Sequence, residues 1–309
     1  MVAVSNADRV VFPAIGRTKG DVVAYYERVA ERALPHLLGR PLSIKRFPKG
    51  LAGPGFFQKN VPAHYPPSFG HFEVRRQPRT GEKEPGVTSY PVVTEAEHLP
   101  YLGNQGAIEL HVPTSRIEAG GHPDRIIIDL DPPEGAEVAL VRKAALLTRD
   151  FVGALGLTLV PVATGSKGYH LVARIEPTID ADNLGTTMHR TATLLAHAYG
   201  DTLTIAFRTA ARGKRVFLDW LRNRTMATAV APFSLRARPR ASIATPLEWS
   251  ELETVAPDGF TIVDVDRLVD RPDSLATLTP VNAQPFATAV DQAFEAAGIV
   301  LEKFDRFRS

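Results

Sequence analysis

The sequence predicts an α+β fold of mixed sheets with flanking helices. Helical periodicity recurs in well-separated stretches, and short β-rich runs lie between them without a repeated βα unit. The third observation is bulk: 44% of 309 residues are apolar, enough for a sizeable core and far from the composition of a disordered chain. At roughly 150 residues per domain, that length allows one large domain or two intimate ones.

Three helices are well marked. Thr18 is a candidate N-cap with Asp21 three residues on, and Val22, Tyr26, Val29 and Ala33 follow at helical spacing, with Pro35 and Gly39 closing the run. A second places Val138, Val141, Ala145, Val152 and Leu155 on one face and stops at Gly156. A third starts at Asp182, carries Leu184, Met188, Ala192 and Leu195, and ends near Gly200. A shorter helix is expected from Pro285 to Gly298. The expected strands are Leu42–Arg46, Glu109–Val112, Arg125–Leu130, Leu157–Val162, Tyr169–Ile175, Leu203–Ala206 and Arg215–Leu218. Gln77–Gly86 reads as an exposed loop, and Pro232–Pro246 as irregular chain.

Composition removes several chemistries. With no cysteine there is no disulfide, thiolate zinc site, iron–sulfur ligation or thiol catalysis. Met1–Val10 lacks a basic stretch followed by an apolar one, and no apolar run approaches the ~20 residues of a membrane helix. A soluble cytoplasmic protein with no membrane partner is expected.

The strongest local signal is Ile126-Ile127-Ile128-Asp129-Leu130-Asp131-Pro132-Pro133. An apolar strand ends in two aspartates at i and i+2, on one face and about 7 Å apart at Cα. Carboxylates that close repel unless a cation sits between them. Mg²⁺ and Mn²⁺ take such oxygen ligands. Asp219, after Val216-Phe217-Leu218, is a third candidate if its strand lies beside the first. The plainer alternative is that the first two cap a turn and Asp219 pairs with an arginine.

Thr164-Gly165-Ser166-Lys167-Gly168 joins two apolar strands. Its glycines could turn backbone N–H groups toward an anion, with Ser166 and Lys167 as further donors, or it could be an ordinary hairpin turn. His170 shares a strand face with Val172 and can point into the same cleft.

The net charge of +2 conceals its distribution. Residues 1–60 hold ten basic and four acidic residues, and 205–240 hold nine basic residues around Asp219 alone. Residues 61–204 and 241–309 are net acidic. The basic segments suit a polyanion. Phe56 and Phe57, beside Gly55 and Lys59, are poor core material if both must bury; in a loop they can offer a base-stacking platform, the alternative being one ring buried and one partly exposed.

Together these blocks resemble the primase-polymerase superfamily of archaeal and eukaryotic type, and within it the polymerase domain of bacterial ligase D and its standalone actinobacterial relatives. The resemblance covers nearly the whole chain. It rests on Asp8-Arg9-Val10-Val11-Phe12-Pro13, Thr18-Lys19-Gly20-Asp21, Arg40-Pro41-Leu42 through Lys45-Arg46, and Gly55-Phe56-Phe57-Gln58-Lys59. It continues through Ile108-Glu109-Leu110-His111, Asp129-Leu130-Asp131-Pro132, and Gly165-Ser166-Lys167-Gly168 with His170. Val216-Phe217-Leu218-Asp219 and Ala231-Pro232-Phe233-Ser234-Leu235-Arg236-Ala237-Arg238 close it.

The resemblance implies a primase-polymerase catalytic core with an RRM-like module, a single domain over 1–309 built from two intimate α/β modules. It implies template-directed nucleotidyl transfer with two divalent cations, Mn²⁺ or Mg²⁺, and a frequent ribonucleotide preference. Asp129 and Asp131 would hold both metals and Asp219 the one at the primer 3′-hydroxyl. Lys45, Ser166, Lys167, His170 and Arg236 would bind the incoming NTP or dNTP, with His111 beside it. Phe56 and Phe57 would stack on template bases, with Lys59 adjoining them. Lys19, with Arg9 nearby, would meet a 5′-phosphate downstream of a gap. The family often has lysine where this chain has Arg9, whose fork binds phosphate differently. The expected partner is gapped or primer-template DNA, with a separate ligase or a Ku-type protein in end joining. The chain has no Lys-x-Asp-Gly ligase motif and no length for ligase or phosphoesterase domains, so a standalone polymerase is expected. Two rivals share parts of the pattern. A metal-dependent glycosyltransferase would also use Asp-x-Asp but leaves the basic segment unexplained, and a non-catalytic nucleic-acid-binding module would keep the aspartates as structure.

Overall fold

The structure is a computed structural model that describes residues 3–76 and 85–301. The first long helix, Lys19–Leu37, begins as its sequence dictates. The Thr18 side chain accepts from the Asp21 amide while the Asp21 carboxylate takes the Thr18 N–H at 2.7 Å. Val22, Tyr26, Val29 and Ala33 are buried. Pro35 does not close the helix; it sits in the last turn, and the helix runs on to Leu37. A second helix spans Val138–Ala154, with Gly156 at φ +90 just beyond it. The third spans Ala181–Ala198, and its cap is Asp180 rather than a start at Asp182: the Asp180 carboxylate accepts from both the Asp182 and Asn183 amides. The fourth runs Gln284–Ala296.

Two sheets carry the site. One has six strands, in the order Leu203–Thr204, Val216–Asp219, Arg125–Asp131, Tyr169–Arg174, Val160–Ala163, Thr245–Pro246. All its neighbours are antiparallel except the first pair. Ile126, Ile128 and Leu130 of its Arg125–Asp131 strand lie in the main core, and Ile127 packs in a small cluster on the other face. The second sheet orders Thr228–Val230, Ala107–Pro113, Ser43–Arg46 and Phe56–Gln58, all antiparallel. The main core cluster draws on both sheets and the long helices, uniting Ile44, Leu110, Ile128, Leu171, Tyr26 and Val141.

Sequence reading missed several short strands, including Val10–Phe12, Phe56–Gln58 and Thr228–Val230. It also missed the hairpin Gly70–Arg76 with Gly86–Val92, although Phe72 and Val74 alternate with His71, Glu73 and Arg75. Of the loop expected at Gln77–Gly86, residues 77–84 lie outside the described residues, and Gly86 already belongs to a strand. Pro232–Pro246 is largely irregular, buried at both ends around the exposed residues 238–240, and it ends in the strand Thr245–Pro246. Among the described residues no helix is long and apolar enough to cross a membrane.

Candidate functional site

The strand register assembles the carboxylates. His170 and Asp219 both pair with Asp129 from opposite sides, so the three form one row across the sheet. Asp131 follows two residues on, at the strand's end, on the same face. Asn223 locks this register. Its side chain is fully buried, accepts the Ile127 N–H at 2.8 Å and donates to the Ile127 carbonyl at 2.7 Å. The amide thereby continues the ladder past Asp219, where the chain has turned into the short helical turn Trp220–Asn223.

Basic side chains occupy the carboxylates. Arg222 bridges two of them, its Nε 3.0 Å from Asp129 and its Nη2 3.0 Å from Asp219. Asp131 is held by Lys167 at 3.1 Å and Arg212 at 3.0 Å. Sequence reading singled out neither Arg222 nor Arg212. The signal was the basic segment itself, since both belong to residues 205–240 and are turned onto acids of the preceding segment. Burial pushes the Asp129 carboxyl up; Arg222 pulls against this and Asp131 adds repulsion. Burial likewise raises Asp219, with Arg222 opposing and Asp129 repelling. His170 lies 3.6 Å from Asp129, and burial with the charges of Arg222 and Arg236 pulls it down to about 3, so it is neutral at pH 7.

A cavity of about 230 Å³ opens in front of this row. His111, Ser166, Lys167, His170 and Arg236 line it with Asp129 and Asp131. Lys45 adjoins it through Glu109, 3.7 Å away on the neighbouring strand. The Thr164–Gly168 segment is a tight loop between antiparallel strands. Its glycines allow close approach. A Cβ on Gly168 would lie 1.9 Å from the Leu130 carbonyl oxygen, and Gly165 has φ +66. The Gly165 N–H donates to Pro257 O and the Ser166 N–H to Thr164 Oγ1. The Ser166 hydroxyl already accepts from Arg238 at 2.7 Å.

Phe56 and Phe57 lie on an edge strand, not in a loop, because Phe57 pairs with Lys45 and Phe56 with Arg46. Both rings are half exposed, at 49% and 54%. Alternation sends them to opposite faces. Phe57 meets His111 edge-on at 5.5 Å, at the rim of the cleft, while Phe56 lies against Arg46 on the far side. They are not a shared platform. Lys59 is exposed just beyond this strand. Lys19 is buried: its ammonium donates to Ser5 O at 2.6 Å and Ser5 Oγ at 2.8 Å, and burial with the nearby Arg9 charge lowers its pKa.

Among the described residues, no three carboxylate or imidazole groups gather as closely as an enclosed metal ion needs. Asp131 is engaged by Lys167 and Arg212, and the other two aspartates by Arg222. The donor set itself suits Mg²⁺ or Mn²⁺, being three hard carboxylates, two of them partly buried and raised by desolvation.

Residues 18–275 match the family described as LigD, primase-polymerase domain. The multifunctional non-homologous end joining DNA repair protein LigD of Mycobacterium tuberculosis (strain H37Rv) is 35% identical over 263 residues, which are 82% of this chain and 34% of that protein. The bifunctional non-homologous end joining protein LigD of Bacillus subtilis (strain 168) is 29% identical over 271 residues, 86% of this chain and 42% of that protein. The chain thus spans under half the length of these relatives. The solved polymerase domain from Mycobacterium tuberculosis ligase D, in complex with DNA, superposes with a TM-score of 0.78 at 34% identity, over 88% of this chain and 99% of that one. With its α+β fold in agreement, the chain belongs to the LigD primase-polymerase domain family.

Proposed function

We propose that this chain is a template-directed nucleotidyltransferase that extends primers or fills short gaps in DNA repair, using two divalent cations. The observation that carries the reading is the row Asp219–Asp129–His170, closed by Asp131, facing a cavity lined by Lys167, Arg236 and His111. Paired acids opposite basic residues are what a phosphoryl-transfer site needs.

Asp129 and Asp131 would hold both ions, with Asp219 on the one nearer the primer terminus. Bound there, Mn²⁺ or Mg²⁺ supplies Lewis acidity toward the primer hydroxyl and offsets phosphate charge. The remaining work belongs to side chains. Lys167, Arg236, Ser166 and Lys45 position the triphosphate of the incoming NTP or dNTP. Neutral His170 and His111 can donate or accept hydrogen bonds there without adding charge. Phe57 offers a ring at the cleft mouth for a base. Basic groups set register on the DNA while base pairing supplies sequence choice. Ribonucleotide preference, a downstream 5′-phosphate and a separate ligase or Ku-type partner are part of this proposal, supported by the family and by relatives named for end joining.

The test is a gapped-duplex extension assay comparing rNTP with dNTP and Mg²⁺ with Mn²⁺. Template-matched, metal-dependent incorporation is expected. Its absence, or turnover of nucleotide sugars without DNA, would overturn the assignment.

A further inference from the structure

Glu109 is a buried carboxylate, 5% exposed, in the middle of the Ala107–Pro113 strand. It does not line the cleft, yet its neighbours are those assigned to the nucleotide. Its Oε2 faces His111 Nε2 at 2.9 Å and Arg236 Nε at 3.5 Å. Its Oε1 accepts the Ala237 N–H at 3.0 Å and lies 3.7 Å from the Lys45 ammonium. Burial alone would raise this acid, but His111, Arg236 and the Ala237 amide hold it down to about 2.

The adjacent backbone repeats the attachment. The Tyr26 hydroxyl donates to Ile108 O at 2.6 Å and accepts the Leu235 N–H at 3.3 Å, and Ser234 Oγ accepts the Leu110 N–H at 2.8 Å. Residues 108, 109 and 110 thus each tie down the 234–237 segment that carries Arg236 into the cleft.

We propose that Glu109 is a positioning residue for the nucleotide side of the site, fixing the tautomer of His111 and the reach of Arg236 while touching no substrate itself. A carboxylate only accepts, so the proton on the facing nitrogen is the Nε2–H of His111. Burial, with Arg236 and Arg222, lowers the His111 pKa despite Glu109 and favours the neutral ring. Nδ1 then carries a lone pair, and His111 meets a ligand in the cleft as an acceptor, the complement of a nucleotide hydroxyl. The last step rests on the nucleotide reading above; the tautomer does not.

Glu109→Gln inverts this arrangement. The Ala237 N–H demands an acceptor, so the new amide turns its oxygen there and its NH₂ toward His111. Nε2 must then accept, and the proton moves to Nδ1. Nitrogen NMR of ¹⁵N-histidine-labelled full chain, with His111 assigned through His111→Ala, is expected to show Nε2–H in the wild type and Nδ1–H in E109Q. A wild-type Nδ1–H ring would overturn the proposal. In extension assays E109Q is expected to raise the nucleotide KM about tenfold at similar kcat, and less than twofold in an H111A background, because the effect passes through His111. Equal losses in both backgrounds would make Glu109 merely structural and overturn it. A wild type with Nε2–H but no incorporation would sink the functional reading while still supporting the orientation of His111.

Discussion

Carboxylates from the two sheets border the same site, yet their pKa values are shifted in opposite directions. Glu109, on the four-stranded sheet, is pulled down to about 2. Asp129 and Asp219, on the six-stranded sheet, are raised. Burial acts on all three, so the difference is supply. Glu109 has the Lys45 and Arg236 cations beside it and accepts from the His111 ring and the Ala237 amide. Asp129 and Asp219 share one arginine and stand beside each other and Asp131. A buried acid keeps its charge where neighbouring cations and donors outweigh desolvation and like charges, and is pushed toward the neutral form where they do not. One acid is thus well supplied, while Asp129 and Asp219 divide a single arginine between them.

The largest effect should come from deleting either of the acids that share Arg222. Asp129→Ala or Asp219→Ala is expected to cut primer extension by about three orders of magnitude or more, the scale of metal-assisted charge stabilisation, with DNA affinity nearly unchanged. Retained extension by either variant would remove the contrast between the two sheets.

Asn223→Ala tests the frame beneath those acids. It strands the Ile127 N–H and carbonyl, at about 1–3 kcal/mol for each buried group left unpaired. A drop in thermal midpoint of several degrees, with loss of extension, is expected by calorimetry and assay. A neutral variant would mean that backbone pairing alone holds Asp219.

Arg222→Ala removes the shared cation. Allowing for its 37% side-chain exposure, about 1–2 kcal/mol of stability should be lost in metal-free buffer. Millimolar Mn²⁺ should recover more of the midpoint in this variant than in the wild type. An equal metal response in both would show that Arg222 and cations do not compete for the same oxygens.

Lys19→Ala carries the comparison to the DNA side. It should weaken binding to gaps bearing a 5′-phosphate a few-fold more than to gaps lacking one, and lower the salt slope by about one. Equal losses would leave Lys19 as a tether for Ser5.

The smallest expected effect is in the acid limb of stability. An acid whose folded pKa is depressed stabilises the fold above its unfolded pKa, and that contribution is lost as pH falls through the folded value. For Glu109 the loss runs from about 4.5 down to about 2. The raised aspartates act with the opposite sign and partly offset it. Urea midpoints from pH 5 to pH 3 should therefore fall less steeply in E109Q than in the wild type, and parallel curves would contradict the depressed value.

Much of this was legible along the chain. The cap at Thr18, the apolar run into Asp129 and Asp131, and the lone acid at Asp219 depend on neighbours within a few residues, where periodicity and capping act. Phe56 and Phe57 show the limit. Two adjacent aromatics in a glycine- and proline-rich stretch read as a loop, but edge pairing with Ser43–Arg46 made them a strand and split them between two faces. The glycines at 165 and 168 were visible as special; that they make room for Ile243, Arg236 and the Leu130 carbonyl was not, because those partners come from other strands.

What the sequence by itself determined is the inventory: an α+β chain, three strand-end aspartates, a basic segment around one of them, and enough ordered blocks to name a family. Only the tertiary structure decided the pairing. It laid Asp219 and His170 on either side of Asp129, turned Arg222 and Arg212 onto acids up to about ninety residues away in the chain, and gave Glu109 its three side-chain partners. The physical reason is that local sequence sets backbone periodicity, whereas the charge state of a buried acid depends on which distant cations share its burial.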